Sequence, residues 1–153
     1  MKFGLCGSLA QAEIAQNAGF DYLEAGLTSL LGDEDDAAFA PVLAQYQALD
    51  IPVTAFNLFL PRDLKVVGSE VDEARMAAYV GRALSRAKQI GAKTVVFGSG
   101  GARNVPDGFS RDKAVAQIVH FLTLVADVAE EVGLIIAIEP LIFMNFLRLA
   151  SKN

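Results

Sequence analysis

LIIAIEPL, Leu134 to Leu141, is the stretch that decides the fold. An apolar run entered from Gly133 and halted by Pro140 reads as a strand covered on both faces, the habit of a parallel sheet. Side chains alternate along a strand, so Ile135, Ala137 and Glu139 share one side and Leu134, Ile136 and Ile138 the other. The single carboxylate, Glu139, therefore falls at the C-terminal mouth of the strand, where α/β sheets place their chemistry. The plainer alternative is a strand-end glutamate facing solvent or paired with a lysine.

Working back from that run, the chain repeats one pattern. Phe3 to Gly7, Phe20 to Gly26 (FDYLEAG), Ile51 to Phe59 (IPVTAFNLF) and Lys93 to Phe97 (KTVVF) read as four further strands. Glu24 shares a side with Tyr22 on the second. Between them lie helical spacings: one capped by Ser8 and ended by Gly19, one carrying Phe39, Val42, Leu43, Tyr46 and Leu49, and one from about Val71 to Ile90 ended by Gly91. The last helix is capped by Ser110, with Val115, Ile118, Val119, Leu122, Val125 and Ala129 as its expected core face. Asp33, Glu34, Asp35 and Asp36 form an acidic loop that favours a helix N-terminus rather than a metal. Four helix-to-strand handovers with no linker between them predict a parallel sheet with right-handed crossovers.

Composition narrows the class. The 153 residues are 53% hydrophobic with a mean hydropathy of +0.38, yet no apolar run approaches the roughly 20 residues that span a bilayer. The surplus belongs to buried strands, so no membrane partner is expected. The first residues lack a signal-peptide core, and the lone cysteine, Cys6, has no internal disulfide partner; both point to the cytoplasm. A net charge of -5 argues against nucleic acid, and one histidine excludes any multi-histidine metal site.

Few residues are equipped for chemistry. The loop from Gly98 to Gly101 has no Gly-Lys-Ser/Thr and does not fit G-x-G-x-x-G, so it is neither a P-loop nor a dinucleotide fingerprint. It is expected to be a flexible loop that carries Gly100, Gly101 and Arg103 to the mouth, either as a turn or as the lining of a small polar ligand's site. His120 falls on the polar side of its helix. Cys6 reads as a small buried hydrophobe. Asn57 ends the third strand as a cap or a substrate contact. Glu24 and Glu139 are the carboxylate pair that geometry could bring to one cavity, for acid/base work or metal ligation.

Taken together, FDYLEAG, AFNLFLPRDLKVVG, GAKTVVFGSGGARNVPDGFS and IAIEPL resemble the xylose-isomerase-like TIM-barrel family of sugar isomerases and epimerases. The resemblance runs from Lys2 to Leu141 and implies a (β/α)8 barrel acting on a sugar or sugar phosphate. It also implies a divalent metal (Mn, Mg, Co or Zn) at the mouth, which polarises the sugar's oxygen while carboxylates shuttle a proton on the neighbouring carbon. Glu139 matches the family's first metal-binding glutamate and takes the catalytic role. Glu24, Asn57 and the loop from Gly98 to Arg103, with Gly100 and Gly101, match substrate-lining positions.

The chain also departs from the family. After IEPL the family continues with Asn-Arg, a further Glu and Asn, and later Asp, His and Glu ligands, whereas here IFMNFLRLASKN follows. A whole barrel takes roughly 250 residues. The expectation is thus an incomplete barrel of about five strands and four helices over residues 1–141. Residues 142–153 would be an atypical apolar tail, the product of truncation or a frameshift. Such a chain would leave Ile135, Ala137, Val96 and Val53 facing water, self-associate or dimerise through its open edges, bind metal weakly or not at all, and lack turnover. The rival reading is a non-catalytic ligand-binding or assembly module. A DNA-repair endonuclease of the same superfamily fits worst, for want of histidines and basic charge.

Overall fold

The computed structural model describes residues 1–140; the tail from 141 to 153, and the expectations attached to it, lie outside the described residues. Five strands, β1 (Gly4–Cys6), β2 (Tyr22–Gly26), β3 (Val53–Asn57), β4 (Thr94–Phe97) and β5 (Ile135–Ile138), form one sheet in sequential order. Every pairing is parallel. Four helices, α1 (Ala12–Asn17), α2 (Asp36–Gln47), α3 (Glu73–Ile90) and α4 (Arg111–Val132), connect consecutive strands.

The helix boundaries follow their caps. Asp35, Asp72 and Ser110 each accept a hydrogen bond from the backbone N–H three residues on, satisfying a donor that the first turn leaves free. Gly91 and Gly133 end α3 and α4 in the left-handed region (φ 106° and 69°), where a side chain would be strained.

Two faces of the sheet differ sharply. Leu23, Ala25, Phe56, Val95 and Phe97 are buried against the helices. Phe59, Phe97 and Phe121 interlock, with ring centroids 4.9 to 6.0 Å apart, and tie β4 to α4. The opposite face carries Gly4, Cys6, Glu24, Ala55, Val96, Ile135 and Ala137, and is the less covered one. Ile135 takes this face, as the alternation in LIIAIEPL predicts. It and Ile138 on the other face are both largely exposed, so β5 is not covered on both faces as expected, because it is an edge strand among the described residues.

Three further expectations change. Val53, expected to face water, is 5% exposed, because Leu23 pairs with Val53 while Glu24 pairs with Ala55. The extra residue, Thr54, makes a bulge that turns Val53 towards the helices. On α4 the buried positions are Ala114, Phe121, Val125 and Ala129, whereas Val115 and Val119 are exposed. The helix is rotated to seat Phe121 in its aromatic cluster, and its apolar surface is wider than one sheet face can cover. Thirdly, the acidic loop does more than cap α2. Asp33 pairs with Arg75, and Asp36 with Arg86, at 2.8 and 2.9 Å. Arg86 is buried, with its guanidinium donating to the carbonyls of Leu30, Leu31 and Glu34, so it clamps the turn between β2 and α2.

Candidate functional site at the C-terminal edge

All five strands point the same way, so their C-terminal ends form one edge, and the polar residues gather on it. Glu139 directly follows β5. Its N–H donates to the carbonyl of Phe97 at 3.2 Å, continuing the ladder for one step. Its carboxylate lies over Gly98: a Cβ at that position would fall 2.3 Å from Oε2. The missing side chain at 98 leaves the room that the carboxylate takes up, and a Cβ there would make only the flexible end of Glu139 shift; sequence spacing alone does not reveal this neighbour.

Arg103 closes the loop. Its Nη2 donates to the carbonyl of Gly98 and, at 3.0 Å, to that of Glu139. Its guanidinium carbon lies 4.8 Å from the centroid of the Phe97 ring, within cation–π reach. Burial lowers the Arg103 pKa from its ordinary value, and the negative charge of Glu139 partly restores it. The segment between them is a hydrogen-bonded turn rather than the expected flexible loop. Ala102 and Arg103 donate to the carbonyl of Ser99, Ser99 Oγ accepts from the N–H of Leu60, and Val66 N–H donates to the carbonyl of Ala102. Gly100 and Gly101 are exposed at its apex.

At the other end of the edge, Asn57 Nδ2 donates to Cys6 Sγ at 2.8 Å, spanning β2. Cys6 is thus exposed and engaged at the mouth, not the small buried hydrophobe expected, because β1 is an edge strand among the described residues and its open face has no layer above it. Glu24 pairs in register with Cys6 and faces the same side. A cavity of about 330 Å³ opens here, lined by Cys6, Ser8, Ser29, Tyr46, Asn57 and Leu58. Ser29 and Tyr46 share a 2.7 Å hydrogen bond between their hydroxyls. Burial pushes the Tyr46 phenol up, against the pull of that bond. Neither residue announced itself in the sequence, where Tyr46 reads only as part of a helical stripe. His120 lies on the outer surface, 3.8 Å from Glu73, away from this edge.

The mouth therefore has two clusters: Glu139, Gly98 and Arg103 over β4 and β5, and Cys6, Glu24 and Asn57 over β1 to β3. A metal centre is a stricter demand. Among the described residues no three histidine, cysteine, aspartate or glutamate side chains converge as an ion would require, and the cation beside Glu139 is Arg103. Hard divalent ions want about six ligands, so these residues do not by themselves fit one.

Sequential parallel strands joined by helices, with polar groups at the C-terminal edge, define the α/β-barrel class. The chain belongs to the xylose isomerase-like TIM barrel family, whose model matches residues 12–150. Solved structures agree on the fold. D-psicose 3-epimerase, determined in the presence of D-fructose, superposes with a TM-score of 0.68 at 17% identity over 90% of this chain and 52% of that one. The 3-keto-D-glucoside 4-epimerase YcjR from E. coli gives 0.64 at 20% identity, over 92% and 56%. The IOLI protein with a bound zinc atom gives 0.58 at 19% identity, over 90% and 51%. The chain spans about half the length of these structures. No curated protein shows significant sequence similarity to it.

Proposed function

We propose that the protein this chain represents is a sugar or sugar-phosphate isomerase or epimerase, and that Glu139 is the carboxylate at its reacting centre. The observation that supports this reading is the Glu139 carboxylate over side-chain-free Gly98 at the sheet's C-terminal edge. Such a group can take the proton from the carbon next to a sugar carbonyl and return it to the neighbouring carbon in an isomerase. In an epimerase a second acid, the role open to Glu24, would have to deliver a proton on the opposite face while Glu139 keeps the one it took. Asn57, Glu24 and the exposed backbone at Gly100 and Gly101 would bind the sugar's hydroxyls. Arg103, with one nitrogen already committed to two carbonyls, would offer its remaining donors.

In the family reading a divalent ion joins Glu139. With one matching ligand among the described residues, this chain should bind Mn²⁺ or Mg²⁺ weakly and show no turnover alone. Calorimetry tests this: a shallow isotherm is expected, and tight stoichiometric binding abolished by Glu139→Ala would overturn it. The same reading places the protein in the cytoplasm, supported by its lone cysteine. Among the described residues no helix is long and apolar enough to cross a membrane. It also has the open edges self-associating.

The rival, a non-catalytic binding module, keeps the same mouth. Deuterium uptake from D₂O at the carbon next to the carbonyl, across a panel of ketoses with added metal and with the complete barrel, separates the two. Uptake lost in Glu139→Gln supports the enzyme; sugar binding without uptake supports the module.

A further inference from the structure

The hydrogen bonds around the cavity at the ends of β1 to β3 run in one direction. Ser29 Oγ donates to the carbonyl of Gly26 at 2.7 Å, which spends its one proton. The 2.7 Å bond between Ser29 and Tyr46 therefore runs from the phenol to the serine. With both hydroxyl protons committed, the pair offers the cavity oxygen lone pairs. Asn57 Nδ2 gives one proton to Cys6 Sγ and retains a second N–H and its carbonyl oxygen. Two loop amides at the rim are also spent: Gly7 N–H donates to the carbonyl of Glu24, and Ser8 N–H to Gln11 Oε1.

Charge and shape point the same way. Among the described residues no aspartate, glutamate, lysine, arginine or histidine lines the cavity, and Glu24 stands beside Cys6 in the strand register. A phosphate there would meet oxygen lone pairs and a neighbouring carboxylate, with no cation to offset its loss of water. The rest of the wall is apolar, formed by Leu9, Ala25 and Leu58. Leu58 is 61% exposed and has a φ of 45°, in the left-handed region that a leucine rarely adopts. Its Cδ1 lies over Gly26, 3.4 Å from where a Cβ on that glycine would stand. Strained backbone that holds an apolar side chain at a rim is the kind of outlier that clusters where ligands are clamped.

We propose that this cavity is a subsite for an uncharged, hydroxyl-bearing end of the substrate. Hydroxyl protons go to Tyr46 and Ser29, a hydroxyl oxygen accepts from Asn57, and the C–H surface lies on Leu58. The proposal rests on the isomerase or epimerase reading and deepens it. In the sheet β4 separates these strand ends from β5, which carries Glu139, so the end held here is the one away from the reacting carbon, and it bears no phosphate. A volume of about 330 Å³ suits a small ligand or one part of a longer one.

Amide chemical-shift titrations of the full chain with D-fructose, D-fructose 6-phosphate and inorganic phosphate test the subsite. D-Fructose should move the amides of Gly26, Ser29 and Leu58 saturably. The 6-phosphate should bind there about tenfold more weakly, and inorganic phosphate should leave them unmoved. Tyr46→Phe keeps the ring and removes the lone-pair oxygen, so D-fructose should bind about fivefold more weakly to a chain still folded by circular dichroism. Leu58→Asn, which suits left-handed backbone, should weaken binding while the urea midpoint holds. Either phosphate moving these amides as strongly as D-fructose, or D-fructose leaving them still, would overturn the proposal. So would either variant binding D-fructose as tightly as the unchanged chain. Deuterium uptake by the complete barrel with these amides silent would refute the subsite and sustain the enzyme. Saturable shifts at Ser29 and Leu58 with no uptake would sustain the subsite and refute the functional reading.

Discussion

Arg86 shows how a single side chain fixes a turn. It is buried, donates to three carbonyls, stacks 4.6 Å from the Phe39 ring centroid and meets Asp36, which is itself 93% exposed. Removing it strands buried acceptors, so Arg86→Ala should cost about 3 kcal/mol in urea denaturation. Asp36→Asn should cost no more than about 1 kcal/mol, because water already surrounds that carboxylate. Equal losses in the two variants would contradict this division. The tyrosines set an alkaline limit. Burial raises the phenols of Tyr46 and Tyr79 above their ordinary value. Stability held by their neutral forms is complete below the unfolded pKa of about 10 and drains away as pH climbs through the higher folded values. The urea midpoint should therefore fall between pH 10 and 12; a flat midpoint over that range would refute the assignment.

At the scale of elements, the aromatic cluster joins sheet to helix layer. Phe121 packs on Phe97 and Phe59 and is fully buried, so Phe121→Ala should destabilise by about 3–5 kcal/mol, whereas Val119→Ala on the exposed flank should change stability by under about 0.5 kcal/mol. Comparable losses would mean that α4 presents a different face. Helical periodicity does not by itself assign the buried face of α4. Val115 and Val119 belong to an apolar stripe broad enough for two contacts, and periodicity reports hydrophobicity without saying which neighbour covers it. The strands were legible because β-branched runs between glycines admit few readings, and the parallel order followed from the helices between them. Val53 was not, because a bulge depends on the partner strand. At the mouth, Glu139 could be placed from its alternation, but the Cys6–Asn57 contact joins residues fifty-one positions apart and leaves no local trace.

Across the whole molecule, the sheet's polarity is what brings scattered polar residues to one edge. Because all five strands run in the same direction, Cys6, Glu24, Asn57, Gly98, Arg103 and Glu139 reach a single edge, while the helix face carries no comparable set among the described residues. The proposed function requires this edge to recognise a sugar. Backbone amide chemical-shift mapping, with ketoses and sugar phosphates titrated into the isotopically labelled chain, tests it most directly. Shifts are expected only at the C-terminal edge, around Cys6, Asn57, Gly98 to Arg103 and Glu139, and Glu139→Gln should weaken them. Shifts centred on the outer surface around His120, or none at any ligand concentration, would contradict it.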